Sequence, residues 1–178
     1  VVLSFHIPLE DNNSEWFRVA DREKLFELLE NHPNTLSLSA HTHIQQQIFY
    51  GKDKGWKQKK PHHEYNVGTT SGDWYSGEIN EQGVPTSTMR DGTPKGYAMI
   101  HFDGNEYKVD YKVAGKPDDF QINVFAPKAV LQSEKSRHSV YANVFMGTPN
   151  DEVLYSVNNG EWKKMKFVDD RDPNYESN

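Results

Sequence analysis

Two short apolar runs, at residues 1–5 and 36–40, flank a single amphipathic stretch, and this order constrains the fold more than any other feature of the chain. Val1, Val2, Leu3, Ser4 and Phe5 form a continuous, mostly apolar run, the pattern of a strand covered on both faces. After a polar loop over 10–15, Asp21 is a fair N-cap for a helix reaching Asn31. Leu25, Phe26, Leu28 and Leu29 make its apolar stripe and Pro33 stops it. Strand, helix and strand in close succession predict two parallel strands joined by a right-handed crossover.

Beyond residue 40 the period changes from helical to alternating. Residues 44–50 and 64–67 read as short strands on either side of a lysine-rich loop over 51–61. Residues 97–102 and 106–113 flank Asp103-Gly104-Asn105, a hairpin signal, and Tyr107, Val109, Tyr111 and Val113 alternate cleanly. The stretch 114–119 has the turn-rich composition of a linker. Further strands are expected at 121–125, 140–145 and 153–157, the last turning through Asn158-Asn159-Gly160 into 161–165, with Trp162 packed inside. The reading is therefore α+β and β-rich: a first unit over 1–115 and a small Ig-like antiparallel β-sandwich over 119–178, with 61–115 open to grouping with the C-terminal region instead.

Composition narrows the function. A formal net charge of −6 argues against nucleic acid as the main partner, because a phosphate backbone is bound by a basic excess. Cysteine is absent, so no disulfide framework holds the fold. No apolar run approaches the roughly 20 residues of a membrane span. The first strand starts without an initiator methionine or a signal peptide, so the expectation is a fragment whose front half, with any targeting segment, lies upstream.

The chemistry lies in the histidines. His6 follows the first strand, and His41 and His43 follow the second. In two parallel strands all three collect at the carboxyl edge, where open α/β sheets place their ligands. An extended backbone would point His41 and His43 to the same side. Such imidazoles ligate a divalent transition metal; the plainer alternative is three ordinary loop histidines.

Ser4-Phe5-His6-Ile7-Pro8 resembles the strand-end histidine motif of the calcineurin-like metallophosphoesterases, and Ser39-Ala40-His41-Thr42-His43 resembles their final Gly-His-x-His motif, with Ala40 in place of the glycine. The resemblance implies a metal-dependent hydrolase of phosphate esters with two divalent ions, Mn, Fe or Zn, and a bridging hydroxide. It implies that His6 and His41 ligate one ion and His43 the other. The family's bridging Asp, its other carboxylates and its Asn-His pair precede the position of His6, so the general acid is expected in the absent front half and no catalytic residue is assigned here. Glu10, Asp11 and Glu15 are nearby carboxylates that match no family motif. Three neutral imidazoles predict weak metal binding by this chain, with a single ion.

A second signature extends the resemblance. Gly68-Thr69-Thr70-Ser71-Gly72-Asp73-Trp74-Tyr75-Ser76-Gly77, the glycine- and proline-rich stretch 83–97, and 120–128 resemble the C-terminal region of a bacterial branch of that family, as do 158–165 and Asp172-Pro173-Asn174-Tyr175. The branch implies a periplasmic or secreted location. Trp74, Tyr75 and Arg90 are candidates to wall a substrate pocket, with Arg90 on a phosphate oxygen; the alternative pairs Arg90 with Asp91 and buries Trp74 in the core. The lysines of 51–61 either steer anionic substrates or coat a solvated loop. His101 and His138 read as structural, as does Trp162. The competing function is a non-catalytic β-sandwich binding or structural module attached to a phosphoesterase.

Overall fold

The computed structural model describes residues 1–10, 17–74, 77–133 and 139–176. Strands β1 (Val2–Ser4), β2 (Leu36–Ser39), β3 (Gln45–Tyr50) and β4 (His62–Val67) form one sheet in the order β1-β2-β4-β3. β1 and β2 are parallel, as the strand–helix–strand order predicts, and β4 adds parallel to β2 before β3 closes the edge antiparallel to β4. The parallel ladder runs past the named strands: Phe5 N–H donates to the Leu38 carbonyl at 3.1 Å and Ala40 N–H to the His6 carbonyl at 3.1 Å.

Helix α1 (Val19–Leu28) begins earlier than Asp21. Asp21 sits in the first turn, where its charge opposes the helix dipole favourably, and takes the Arg18 Nε at 2.6 Å. Phe26 and Leu29 are buried against the sheet with Leu9, Ile48, Tyr50 and Trp56, and Leu25 packs at the edge. Leu28 is exposed, one residue's rotation off the stripe. The lysine-rich loop is pinned from within, since Trp56 is buried and its Nε1 donates to the Lys60 carbonyl at 2.7 Å. β1 departs from the expectation of a strand covered on both faces: Val1 and Val2 are half exposed because β1 is the sheet's edge.

Strands β5 (Gly96–Asp103) and β6 (Glu106–Val113) form the predicted hairpin. Its alternating face, through Tyr111 and Val113, joins Met89 and Phe145 in a second core, with Ala98, Phe120 and Met146 at its margin. Phe120 and Phe145, whose rings lie 5.7 Å apart, come from beyond the 114–119 stretch and pack with Met89, Tyr111 and Val113 from before it. Among the described residues the C-terminal region makes two separate antiparallel ribbons, β7 (Ile122–Phe125) with β8 (Tyr141–Val144) and β9 (Leu154–Tyr155) with β10 (Lys163–Lys164), then the short helix α2 (Pro173–Glu176). Among the described residues these ribbons are two strands each and pair as separate sheets, which shows a β-rich region without showing the expected face-to-face sandwich. Trp162, expected inside, is 70% exposed. The Asn158-Asn159 turn does form: both residues have positive φ, 52° and 58°, and Gly160 N–H bonds to the Val157 carbonyl. No helix among the described residues is long and apolar enough to cross a membrane.

Candidate metal and substrate site

The parallel pairing of β1 and β2 puts His6 and His41 at one edge of the sheet. His41 Nδ1 lies 2.9 Å from His6 Nε2, with the rings edge to face at 4.8 Å between centroids. One nitrogen donates and the other accepts, so the two imidazoles hold complementary tautomers. The same separation suits two ligands on one ion, since metal–nitrogen bonds of about 2.1 Å at right angles place the nitrogens roughly 3 Å apart. The match is one of distance: the two nitrogens face each other across a shared proton, which would have to leave before both could ligate.

The backbone between His41 and His43 is not extended. Both residues have positive φ, 69° and 54°, and Thr42 N–H bonds back to the Ala40 carbonyl at 2.8 Å, closing a tight turn around His41. Such conformations cost roughly 1–3 kcal/mol each in L residues and persist only where the surroundings enforce them. The consequence is that the two imidazoles part company. His41 turns to His6, and His43 turns to Asp73, with His43 Nδ1 at 3.2 Å from Asp73 Oδ1. Among the described residues no three His, Asp or Glu side chains gather closely enough to hold one ion. Glu10 is paired with Lys54, and Asp11 and Glu15 lie outside the described residues.

Asp73, only 11% exposed at its side chain, is the junction of this region. Its Oδ2 receives the Tyr175 hydroxyl at 2.7 Å and faces the Arg90 Nε at 3.4 Å. Burial pushes its acid up, but the hydrogen bonds from Tyr175 and His43 and the charge of Arg90 outweigh this and hold it below the usual carboxylate range. Arg90 is therefore not paired with Asp91, whose carboxyl is raised by burial and bonded to Thr93 Oγ1. Trp74 is not core: it is 73% exposed, has φ +70°, and lies beside His43 with ring centroids 4.9 Å apart. Tyr75 and His138 lie outside the described residues.

Local sequence explains how these loops are held. Gly72 has φ +64°, and a Cβ there would fall 2.7 Å from backbone atoms of Ser87. Asp73 N–H bonds to the Thr88 carbonyl and Arg90 N–H to the His43 carbonyl, so the histidine turn is strapped to the 88–90 segment. At the far end Asp172 caps α2, accepting the N–H groups of Asn174 and Tyr175 at 2.8 and 3.1 Å with Pro173 at the first helical position. That cap delivers Tyr175 to Asp73. Asp73 and Tyr175 were not singled out as site residues by sequence, although the cap-and-proline pattern Asp172-Pro173 was a readable signal for the turn. His62 and His63 belong to β4: His62 is enclosed and bonded to Thr35 and Ser37, while His63 stacks between Phe49 and Tyr107.

The chain matches no curated protein and no solved structure. Residues 64–178, from β4 to the last described turn and beyond, match the family described as the C terminal of calcineurin-like phosphoesterase. That span includes Asp73, Arg90, the second core and the Tyr175 cap, and the chain belongs to the calcineurin-like phosphoesterases, matching their C-terminal region.

Proposed function

We propose that this chain forms part of a metal-dependent phosphoesterase, in which His6 and His41 ligate one divalent ion and His43 a second, with the remaining ligands and the general acid supplied by an N-terminal catalytic region. The observation that carries this reading is the 2.9 Å approach of His6 and His41 at the carboxyl ends of two parallel strands, in a chain of this family. When bound, the ions, Mn, Fe or Zn, supply Lewis acidity to the phosphoryl oxygens and lower the pKa of the attacking water. The chain's own residues orient and enclose. Arg90, with its Nε on Asp73, has further guanidinium N–H groups to offer a phosphate oxygen. Trp74, exposed beside His43, gives an apolar wall for the ester group, with Tyr75 next to it in sequence. The C-terminal region, read as a small β-rich unit over 119–178, is a structural support that locks the histidine turn through Tyr175.

The test is calorimetric titration of the 178-residue chain with Mn²⁺ or Zn²⁺, alongside His6→Ala and His41→Ala. The expected result is one weakly held ion, lost in both variants. Undiminished binding in the two variants would sink the ligand assignment and leave a non-catalytic module as the better reading.

A further inference from the structure

The divergence of His41 and His43 raises the question of what His43 meets instead. Its Nδ1 faces a carboxylate, and an ionised carboxylate only accepts hydrogen bonds. The proton of the neutral ring must then sit on Nδ1, which leaves the Nε2 lone pair as the ring's acceptor. We infer that Asp73 is a positioning residue, which fixes His43 in the Nδ1–H tautomer and aims its Nε2 lone pair at a divalent cation.

Three features separate this from a chance surface ion pair. Asp73 is nearly enclosed, and both of its carboxylate oxygens are engaged, Oδ1 by His43 and Oδ2 by Tyr175 and Arg90. Its backbone is tied by the N–H bond to Thr88, one residue after a glycine that tolerates no Cβ. His43 is itself tied, through its carbonyl, to Arg90 N–H, so the acceptor and the ring are referred to the same 88–90 segment. A carboxylate on the outer nitrogen of a metal-binding histidine sets tautomer and ring angle and raises ligand basicity, and its loss typically costs about 10–100-fold in metal affinity. Tyr175 extends the chain of control: a residue 102 positions from Asp73 in sequence holds the carboxylate that holds the ring.

The metal clause rests on the proposed ligand role of His43, but the tautomer does not, so the decisive experiment uses the metal-free 178-residue chain. Long-range ¹H–¹⁵N correlation spectra at about pH 8 report which nitrogen of each neutral imidazole carries the proton. The expected result is Nδ1–H for His43 in the wild type, loss of that preference in Asp73→Ala, and a weaker preference in Tyr175→Phe. Where Asp73→Ala does not fold, Asp73→Asn is read instead, since its amide donates as readily as it accepts. An Nε2–H tautomer in the wild type, or an Nδ1–H preference unchanged by Asp73→Ala or Asp73→Asn, would overturn the inference. Loss of the preference upholds the positioning role; the ligand role is read separately in the chain joined to an N-terminal catalytic region, where bound Mn²⁺ stoichiometry unchanged by His43→Ala would overturn that role alone.

Discussion

His62 and His63 are adjacent on β4 and face opposite sides of the sheet, and both titrate far below an ordinary histidine. His62 is pulled down to about 4 by burial and then by the neighbouring His63, and its two nitrogens are each 2.8 Å from a hydroxyl, those of Thr35 and Ser37. His63 is likewise pulled down to about 4 by burial and by Lys60. In the unfolded chain both return to about 6.5. Their folded values are depressed, so below pH 6.5 the unfolded chain binds protons that the folded one refuses. Stability is whole above that value and falls as the pH drops toward 4, by up to ~1.4 kcal/mol per pH unit for each histidine. Denaturant unfolding between about pH 5 and 7.5 checks this, with His62→Gln expected to remove about half of the slope; an unaltered slope would contradict it. Glu64 offers a second test at this scale. It is fully buried and accepts the Leu9 N–H at 3.0 Å and the Tyr50 hydroxyl at 2.6 Å. Tyr50→Phe strips a donor from a buried carboxylate and is expected to cost ~1–3 kcal/mol in chemical denaturation, whereas Glu27→Gln, at an exposed pair with Lys24, leaves stability as it was. None of this was visible in sequence, where the histidines followed a lysine loop and Glu64 merely opened a strand: a polar residue's partner lies across the sheet, not along the chain.

Among the elements, legibility followed the range of the interactions that decide each one. The β5–β6 hairpin was readable because Tyr107, Val109, Tyr111 and Val113 alternate and a glycine with φ +57° turns the chain, both local facts. The parallel β1–β2 pair was readable because a helix of that length leaves few other routes back. The His41–His43 turn was not, since nothing in Ala40-His41-Thr42-His43 favours positive φ as glycine does, and tertiary bonds to Arg90 and Asp73 impose it. Alternation likewise marks strands at 122–125 and 141–144 without telling which sheets stack. The loops show how such tertiary demands act on single positions. Gly92 has φ +79° and its absent Cβ would fall 2.1 Å from Asp172 Cγ, whereas Gly83 has φ +75° and open space around it. Both Gly→Ala changes carry the left-handed penalty of ~1–2 kcal/mol. Only Gly92→Ala also displaces the cap residue that delivers Tyr175, adding ~1 kcal/mol. Thermal unfolding of the two variants should therefore differ, with the Tyr175 ring resonances shifted in Gly92→Ala alone; equal destabilisation would mean that the Asp172 contact carries no weight.

On the scale of the whole molecule, the position of the histidines decides what the chain does by itself. They stand at the carboxyl edge of a sheet whose β1 side is open, and among the described residues they form a pair and a single, not a cluster of three. Three neutral imidazoles offset none of the positive charge of two divalent ions, and Asp73, the carboxylate nearest to hand, is spent on His43, Tyr175 and Arg90. Phosphoester hydrolysis needs a metal-activated water and a polarised phosphoryl group together. The 178-residue chain is therefore expected to hydrolyse an aryl phosphate negligibly with Mn²⁺ or Zn²⁺ present, while the same sequence joined to an N-terminal catalytic region turns over. In that longer protein His41→Ala should lower kcat/KM by more than about a hundredfold, beyond what loss of a ligand's outer partner costs. His101→Ala should stay near wild type, because His101 is exposed on β5, where it meets Asp110 at 3.4 Å. Steady-state assays of the chain, the longer protein and both variants under one metal supply separate the possibilities. Robust turnover by the chain alone would show that His6, His41 and His43 already complete a site, and undiminished activity in His41→Ala would remove the sheet-edge pair from the chemistry.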